Sequence, residues 1–237
     1  MIAAISQPPF IPYGGYFSLI NNVDHFIFLD DVQFDKRSWQ QRNFIRISGN
    51  PQLITIPVIT KGKLNQKINE VQIDYKNLDV AKILRTIELN YKKEDFFEEF
   101  FLQLKSIFLK KHKFLCELNI DIIEAICFYL DIKTKKYLSS NFKNSDDYTK
   151  IELLKYLLKQ LKCNQYYTTL GAKDYLGKMN FFSNTKIQIK YFNFEDKDKF
   201  LQDKEKKRYA FFSVIDSIFK HGKKTKNFLD KNFKILD

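Results

Sequence analysis

The sequence predicts an α/β fold: a largely parallel sheet with a helical insertion in the middle of the chain. Strand-like and helix-like segments alternate at both ends of the 237 residues, the pattern of parallel strands with helices on their faces. Between about residues 79 and 130 the apolar spacing changes to three and four, which is helical. Every proline (Pro8, Pro9, Pro12, Pro51, Pro57) falls within the first 57 residues, so constrained backbone, and with it the chemistry, is expected there.

Ile2 to Ser6 is a short apolar run stopped by a Pro-rich loop, and Tyr16 to Val23 reads as a helix, giving a strand, loop and helix unit. Phe26 to Leu29 is a second strand ending in Asp30-Asp31. Leu53 to Val58 is a third, and Val71 to Asp74 a fourth candidate. The helical middle carries stripes at Phe96, Phe97, Phe100, Phe101, Leu104 and Phe108, and again at Ile122, Ile123 and Ile126. After it the spacing predicts a strand over Lys136 to Ser140, a helix over Lys150 to Leu161 and a strand over Gln165 to Thr169. A short helix at Lys173 to Leu176, a strand over Lys186 to Phe192 and a final helix over Ser213 to Phe219 follow. We expect residues 1–237 to form one α/β domain, with 79–130 inserted and 204–237 a basic C-terminal segment.

Forty Lys+Arg against 28 Asp+Glu give a net charge of +12. Residues 1–60 are neutral, so the excess lies in the remainder and concentrates toward the end. Lys far outnumbers Arg, which suits a solvated surface better than shaped phosphate contacts. Weak contact with an anionic membrane surface stays open, whereas nucleic acid is disfavoured because basic and aromatic residues do not interleave in a known module. Apolar runs break off well short of the roughly 20 residues of a membrane span. With no basic leader at the start, a cytoplasmic location is expected. The cysteines (Cys116, Cys127, Cys163) show no Cys-x-x-Cys spacing and read as core thiols, and the three histidines are isolated, so no metal site is expected.

Two segments carry candidate chemistry. Gln7 to Tyr16 joins the first strand to the first helix, the junction where open parallel sheets bind ligands. Gly14 and Gly15 would permit close backbone approach, and the amides that open the helix could hold a phosphate or carboxylate. Gln7, Pro12 and Tyr16 complete that wall. The plainer reading is a Pro/Gly turn that caps a helix. In the second segment, Asp30 and Asp31 end a strand and are followed by Gln33, Arg37, Trp39, Arg42 and Asn43. A carboxylate there could act as a base toward an amine, orient a hydroxyl or meet Mg²⁺. Arginine could clamp a phosphate, and tryptophan could stack on a sugar or base. Alternatively the aspartates cap a turn and pair with Arg37 or Arg42. Ser139-Ser140 and Thr168-Thr169, after later strands, belong on the same sheet edge or cap helices.

These residues resemble the WbqC-like family of bacterial proteins associated with surface-polysaccharide gene clusters. The resemblance rests on Gln-Pro-x-x-x-Pro-x-x-Gly-Tyr-Phe at Gln7 to Phe17, Leu-Asp-Asp-Val-Gln followed by Trp-x-x-Arg-Asn at Leu29 to Asn43, and Ser-Val-Ile-Asp at Ser213 to Asp216. It implies a transferase of O-antigen or related precursor synthesis, attaching an aminoacyl or acyl group such as glycine to the amine of a nucleotide-linked sugar. Asp30 or Asp31 would be the base, with no cofactor specified. The alternative is a non-catalytic nucleotide-sugar or precursor-binding adaptor that partners glycosyltransferases at the inner membrane surface. The opening also looks like that of Rossmann-like nucleotidylyltransferase-type domains, with tyrosines where those have histidines. Nucleotide binding is implied more than nucleotidylyl transfer, which leans on the imidazoles.

Overall fold

A computed structural model describes residues 1–143, 145, 148, 150–173, 176, 185–196, 199–203 and 208–236. Its frame is a six-stranded sheet in the order β10-β7-β6-β1-β2-β5. Here β1 is Ile2–Ser6, β2 His25–Phe28, β5 Lys135–Leu138, β6 Gln165–Thr169, β7 Gln188–Phe194 and β10 Phe233–Leu236. All neighbours pair in parallel except β10, which runs antiparallel to β7 at one edge. This is the α/β sheet that the alternating pattern predicts.

Alternation along the strands sorts side chains to two faces. Ala4, Phe26 and Phe28 join one apolar cluster, and Ala3, Ile5 and Ile27 join the other. The first face is covered by helix α1 (Gly14–Asn21), by α2 (Val80–Tyr91), α3 (Phe97–Leu109) and α4 (Leu115–Tyr129), and by α6 (Val214–His221) and α7 (Thr225–Lys231). The second is covered by α5 (Lys150–Gln160), through Ile151, Leu154, Leu157 and Leu158. Helices α2 to α4 occupy the stretch whose apolar spacing is helical. Phe100, Leu104, Ile122 and Ile126 from their stripes are fully buried, and deleting one such phenylalanine side chain costs about 3–5 kcal/mol.

The expected strand at 53–58 is displaced and belongs elsewhere. Residues Arg42–Ile47 (β3) and Asn50–Thr55 (β4) form an antiparallel hairpin outside the main sheet. Ser48 (φ 47°) and Gly49 (φ 82°) close it, the two-residue left-handed turn that matches strand twist. Val71 to Asp74 makes only isolated bridges, Ile73 to Val58 and Gln72 to Phe114. A second small hairpin pairs β8 (Phe200–Asp203) with β9 (Arg208–Ala210). The helix expected at 173–176 and the basic run at 204–208 lie largely outside the described residues. Among the described residues, no helix is long and apolar enough to cross a membrane.

Candidate functional site

The strand order fixes where a ligand crevice can open. From β1 the chain steps to β2 and then β5 in one direction, and β6 and β7 lie on the other side of β1. The strand order therefore reverses between β1 and β6, the place where open parallel sheets bind ligands. Gln7 follows β1 directly, Asp30 and Asp31 follow β2, Ser139 and Ser140 follow β5, and Thr169 ends β6.

Hydrogen bonds lace the two sequence motifs together. Asn43 donates from Nδ2 to the carbonyls of Phe10 (3.2 Å) and Ile11 (2.9 Å), and its Oδ1 accepts from the Phe44 amide. The Phe10 amide donates to the Trp39 carbonyl at 2.9 Å. From α4, Asn119 donates to the carbonyls of Pro8 (3.0 Å) and Gln40 (2.8 Å), and it is fully buried. Above these anchors the Gln40 Nε2 donates to Gln7 Oε1 at 2.7 Å. Gln7 is exposed at the carboxyl end of β1, with its side-chain carbonyl turned toward Gln40.

The loop's remaining residues form its foundation. Gly14 and Gly15 are buried, and a Cβ on Gly15 would overlap the Tyr13 ring and lie 2.9 Å from Phe194 Cβ. These glycines admit close packing against Tyr13, Phe194 and Leu229. The Tyr16 hydroxyl donates to the Gln7 carbonyl at 3.2 Å, and burial pushes its pKa well above the usual phenol value, so it stays a neutral donor. Pro12 is buried, and its carbonyl accepts from the Val214 amide at 2.9 Å. That bond seats the Ser213 to Asp216 motif. Asp216 in turn takes hydrogen bonds from the Tyr91 hydroxyl (3.0 Å) and Lys220 (3.0 Å to Oδ2) and pairs with Arg46 at 3.4 Å. The Arg46 guanidinium stacks 4.0 Å from the Phe212 ring centroid.

The two aspartates have different surroundings. Asp30, 2% exposed, receives the Ser140 amide (3.0 Å) and hydroxyl (2.7 Å) and Asn69 Nδ2 (3.4 Å), and its Oδ1 lies 2.9 Å from the Ser139 hydroxyl, whose single hydrogen it shares with Asp31. Its lone pairs are taken by N–H and O–H hydrogens, which suits it to pinning β2 to β5 and leaves little room for a proton or a cation. Asp31, 9% exposed, shares one oxygen with the Ser139 hydroxyl, while its buried Oδ2 has no hydrogen-bond partner.

Trp39, 42% exposed, leans on Phe44 with ring centroids 6.0 Å apart, and Phe44 packs on Phe200 at 5.0 Å. Arg42 lies two residues before Phe44 on β3, and strand alternation sets both on one face of the hairpin. Arg37 is exposed with φ 61°, its amide bound to Gln41 Oε1. Gln33 is exposed and donates to Asn65 at 3.3 Å, which draws it toward the loop before residue 68. Direct bonds thus join Gln7 to Gln40, and Asn43 and the Trp39 backbone to Phe10, whereas Gln33 and Arg37 attach to other partners.

Two hollows flank this region. A groove of about 960 Å³ runs beside β5 and α4, lined by Asp30, Asn69, Glu70, Glu117 and Ser140 above an apolar floor that includes Phe114 and Leu138. Near α6 and α7, Lys220, His221 and Lys224 line a cavity of about 290 Å³ that also touches Gly14 and Asp216. Sequence reasoning passed over Gln40, Asn69 and Asn119. Asn119 carried a readable signal, since an amide on the apolar stripe of a buried helix requires partners.

A profile of the WbqC-like protein family matches residues 7–228. An uncharacterized protein of Mycobacterium tuberculosis (strain ATCC 25618 / H37Rv), Rv1507c, is 38% identical over 194 residues, which cover 81% of this chain and 82% of the relative. No solved structure matches significantly.

Proposed function

The chain belongs to the WbqC-like protein family, and from that premise we propose that it is a transferase of surface-polysaccharide precursor synthesis, passing an aminoacyl or acyl group to the amine of a nucleotide-linked sugar. The observation that carries this reading is the unpartnered Oδ2 of Asp31, a buried carboxylate oxygen at the carboxyl edge of the sheet, close in sequence to the exposed Trp39. A buried carboxylate oxygen with no donor is costly, and a ligand that supplies the donor would account for it.

Trp39 offers a stacking face for the base or sugar, Arg42 a cation for the diphosphate, and the Gln7 amide a donor to a ligand oxygen. Asp31 takes the proton of the attacking amine as its nitrogen bonds to the acyl carbon and the bond to the donor's leaving group breaks. The donor must arrive activated, as a thioester or another reactive acyl ester, because the transfer has no other driving force. Asp30 holds the strand ends in register and takes no part in the proton transfer.

The test pairs calorimetric binding of UDP-glucosamine with an assay of acyl transfer to its amine, for the wild type and for Asp31→Asn and Arg42→Ala. Retained binding with transfer down at least about 100-fold is expected for Asp31→Asn, and weakened binding for Arg42→Ala. Unchanged transfer in both variants would refute the reading. Tight binding with no transfer from any activated acyl donor would favour the adaptor.

A further inference from the structure

Gln40 has no counterpart among the residues expected to touch a ligand, yet its side chain contacts one that does. It is 3% exposed, and the only hydrogen bond of its side chain among the described residues runs from Nε2 to Gln7 Oε1 at 2.7 Å. Its own Oε1 is buried without a partner. The backbone beneath it is clamped by Asn119, which donates to the carbonyls of Gln40 and Pro8 at once. The two glutamines therefore ride on one support, and relative drift between them is blocked.

The polarity of this pair has one favoured sense. Reversing both amides would have Gln7 donate to Gln40 and would bury the Gln40 NH₂ with two hydrogens and no acceptor. An orphaned donor is rarer in folded proteins than an orphaned carbonyl oxygen, which leaves the observed sense as the less costly. We infer that Gln40 is a positioning residue that fixes the amide polarity of Gln7, turning its carbonyl inward and presenting its NH₂ at the crevice, so that this position accepts a ligand oxygen and rejects a ligand N–H or O–H donor. The ligand class, an oxygen acceptor such as a phosphate or carbonyl, deepens the nucleotide-sugar reading and rests on it. The polarity itself does not.

The substitution Gln40→Glu inverts the device. A carboxylate at 40 can only accept, so Gln7 must turn its NH₂ inward and show its carbonyl. Gln40→Met removes the restraint and leaves Gln7 free to show either face, a statistical loss of about twofold. Gln7→Glu keeps the bond from Gln40 and shows a bare acceptor. For UDP-glucosamine, the expected loss of affinity is about tenfold or more for Gln40→Glu and Gln7→Glu, against about twofold for Gln40→Met.

A ligand-free readout separates this inference from the function. In ¹⁵N spectra the Gln7 side-chain NH₂, identified by its loss in Gln7→Glu, should exchange rapidly with water in the wild type. In Gln40→Glu it should shift downfield and become protected. A Gln7 NH₂ already protected in the wild type, or unmoved in a folded Gln40→Glu, overturns the proposal. Should UDP-glucosamine fail to bind the wild type while the NH₂ behaves as described, the nucleotide-sugar reading falls and the positioning role stands.

Discussion

Asn119→Leu should destabilise the protein far more than its single side chain suggests. Leucine keeps the branched four-atom side chain of asparagine and is somewhat larger, so the change removes polarity without opening a cavity. In the native protein Asn119 is fully buried and is the donor to two buried carbonyls, Pro8 at 3.0 Å and Gln40 at 2.8 Å. Leaving each without a donor costs about 1–3 kcal/mol, about 2–6 kcal/mol together, offset in part by removal of the buried, unpartnered Asn119 Oδ1. For a chain of this size, that is a fall in melting temperature of about 5–15 °C. Asn119→Asp should be worse at neutral pH, since it faces a carboxylate toward two carbonyl oxygens. Urea unfolding followed by far-UV circular dichroism measures both. A loss below about 1 kcal/mol for Asn119→Leu would refute the reasoning, because the two loops would then be held by something other than this amide.

Three further outcomes follow from the same geometry. Asp30→Ala should cost about 2–3 kcal/mol by stranding its serine and asparagine donors, whereas Asp31→Asn should stay within about 1 kcal/mol of wild type; comparable losses in urea melts would show that the two carboxylates do not divide their roles. Gly15→Ala forces a methyl against Tyr13 and Phe194 and should cost about 1–3 kcal/mol, so an unchanged melting temperature would mean that the loop yields freely. Burial pushes Tyr13, Cys116 and Cys127 up to about 12, with Asp30 and Glu117 adding to the shift at Cys116. The native state keeps those protons while the unfolded chain releases them near pH 9 to 10, so stability should fall as pH rises from about 9 toward 12. A urea midpoint flat between pH 8 and 10.5 would contradict that sign.

How much of this could be read in the chain depends on the range of the interactions. The strands β1 and β2 and helices α2 to α4 are written locally, in apolar runs of four or five and in stripes at helical spacing, and the structure places them as those patterns indicate. The β3–β4 hairpin was harder to see because Arg42-Asn43-Phe44-Ile45-Arg46 alternates too weakly to stand out, although Ser48-Gly49 is a turn signal. The antiparallel edge strand β10 follows a lysine-rich stretch that masks its four residues. At the site, the division of labour between Asp30 and Asp31 is set by Ser139 and Ser140, more than 100 residues away, and no local pattern encodes it. Gly14 and Gly15 suggested an anion cradle, yet they are packed against Phe194, whose approach no spacing rule foretells. Gln40 gained meaning only once Asn119 brought Pro8 beside it.

The chain contains a single tryptophan, Trp39, 42% exposed beside the proposed crevice, so its fluorescence tests the central claim directly. Titration of the wild-type protein with UDP-glucosamine, excited at the red edge of the indole band, should quench or shift the emission in a saturable way, with a midpoint equal to the calorimetric dissociation constant. Binding seen by calorimetry with the Trp39 emission unchanged would put the ligand elsewhere on the molecule and contradict the account.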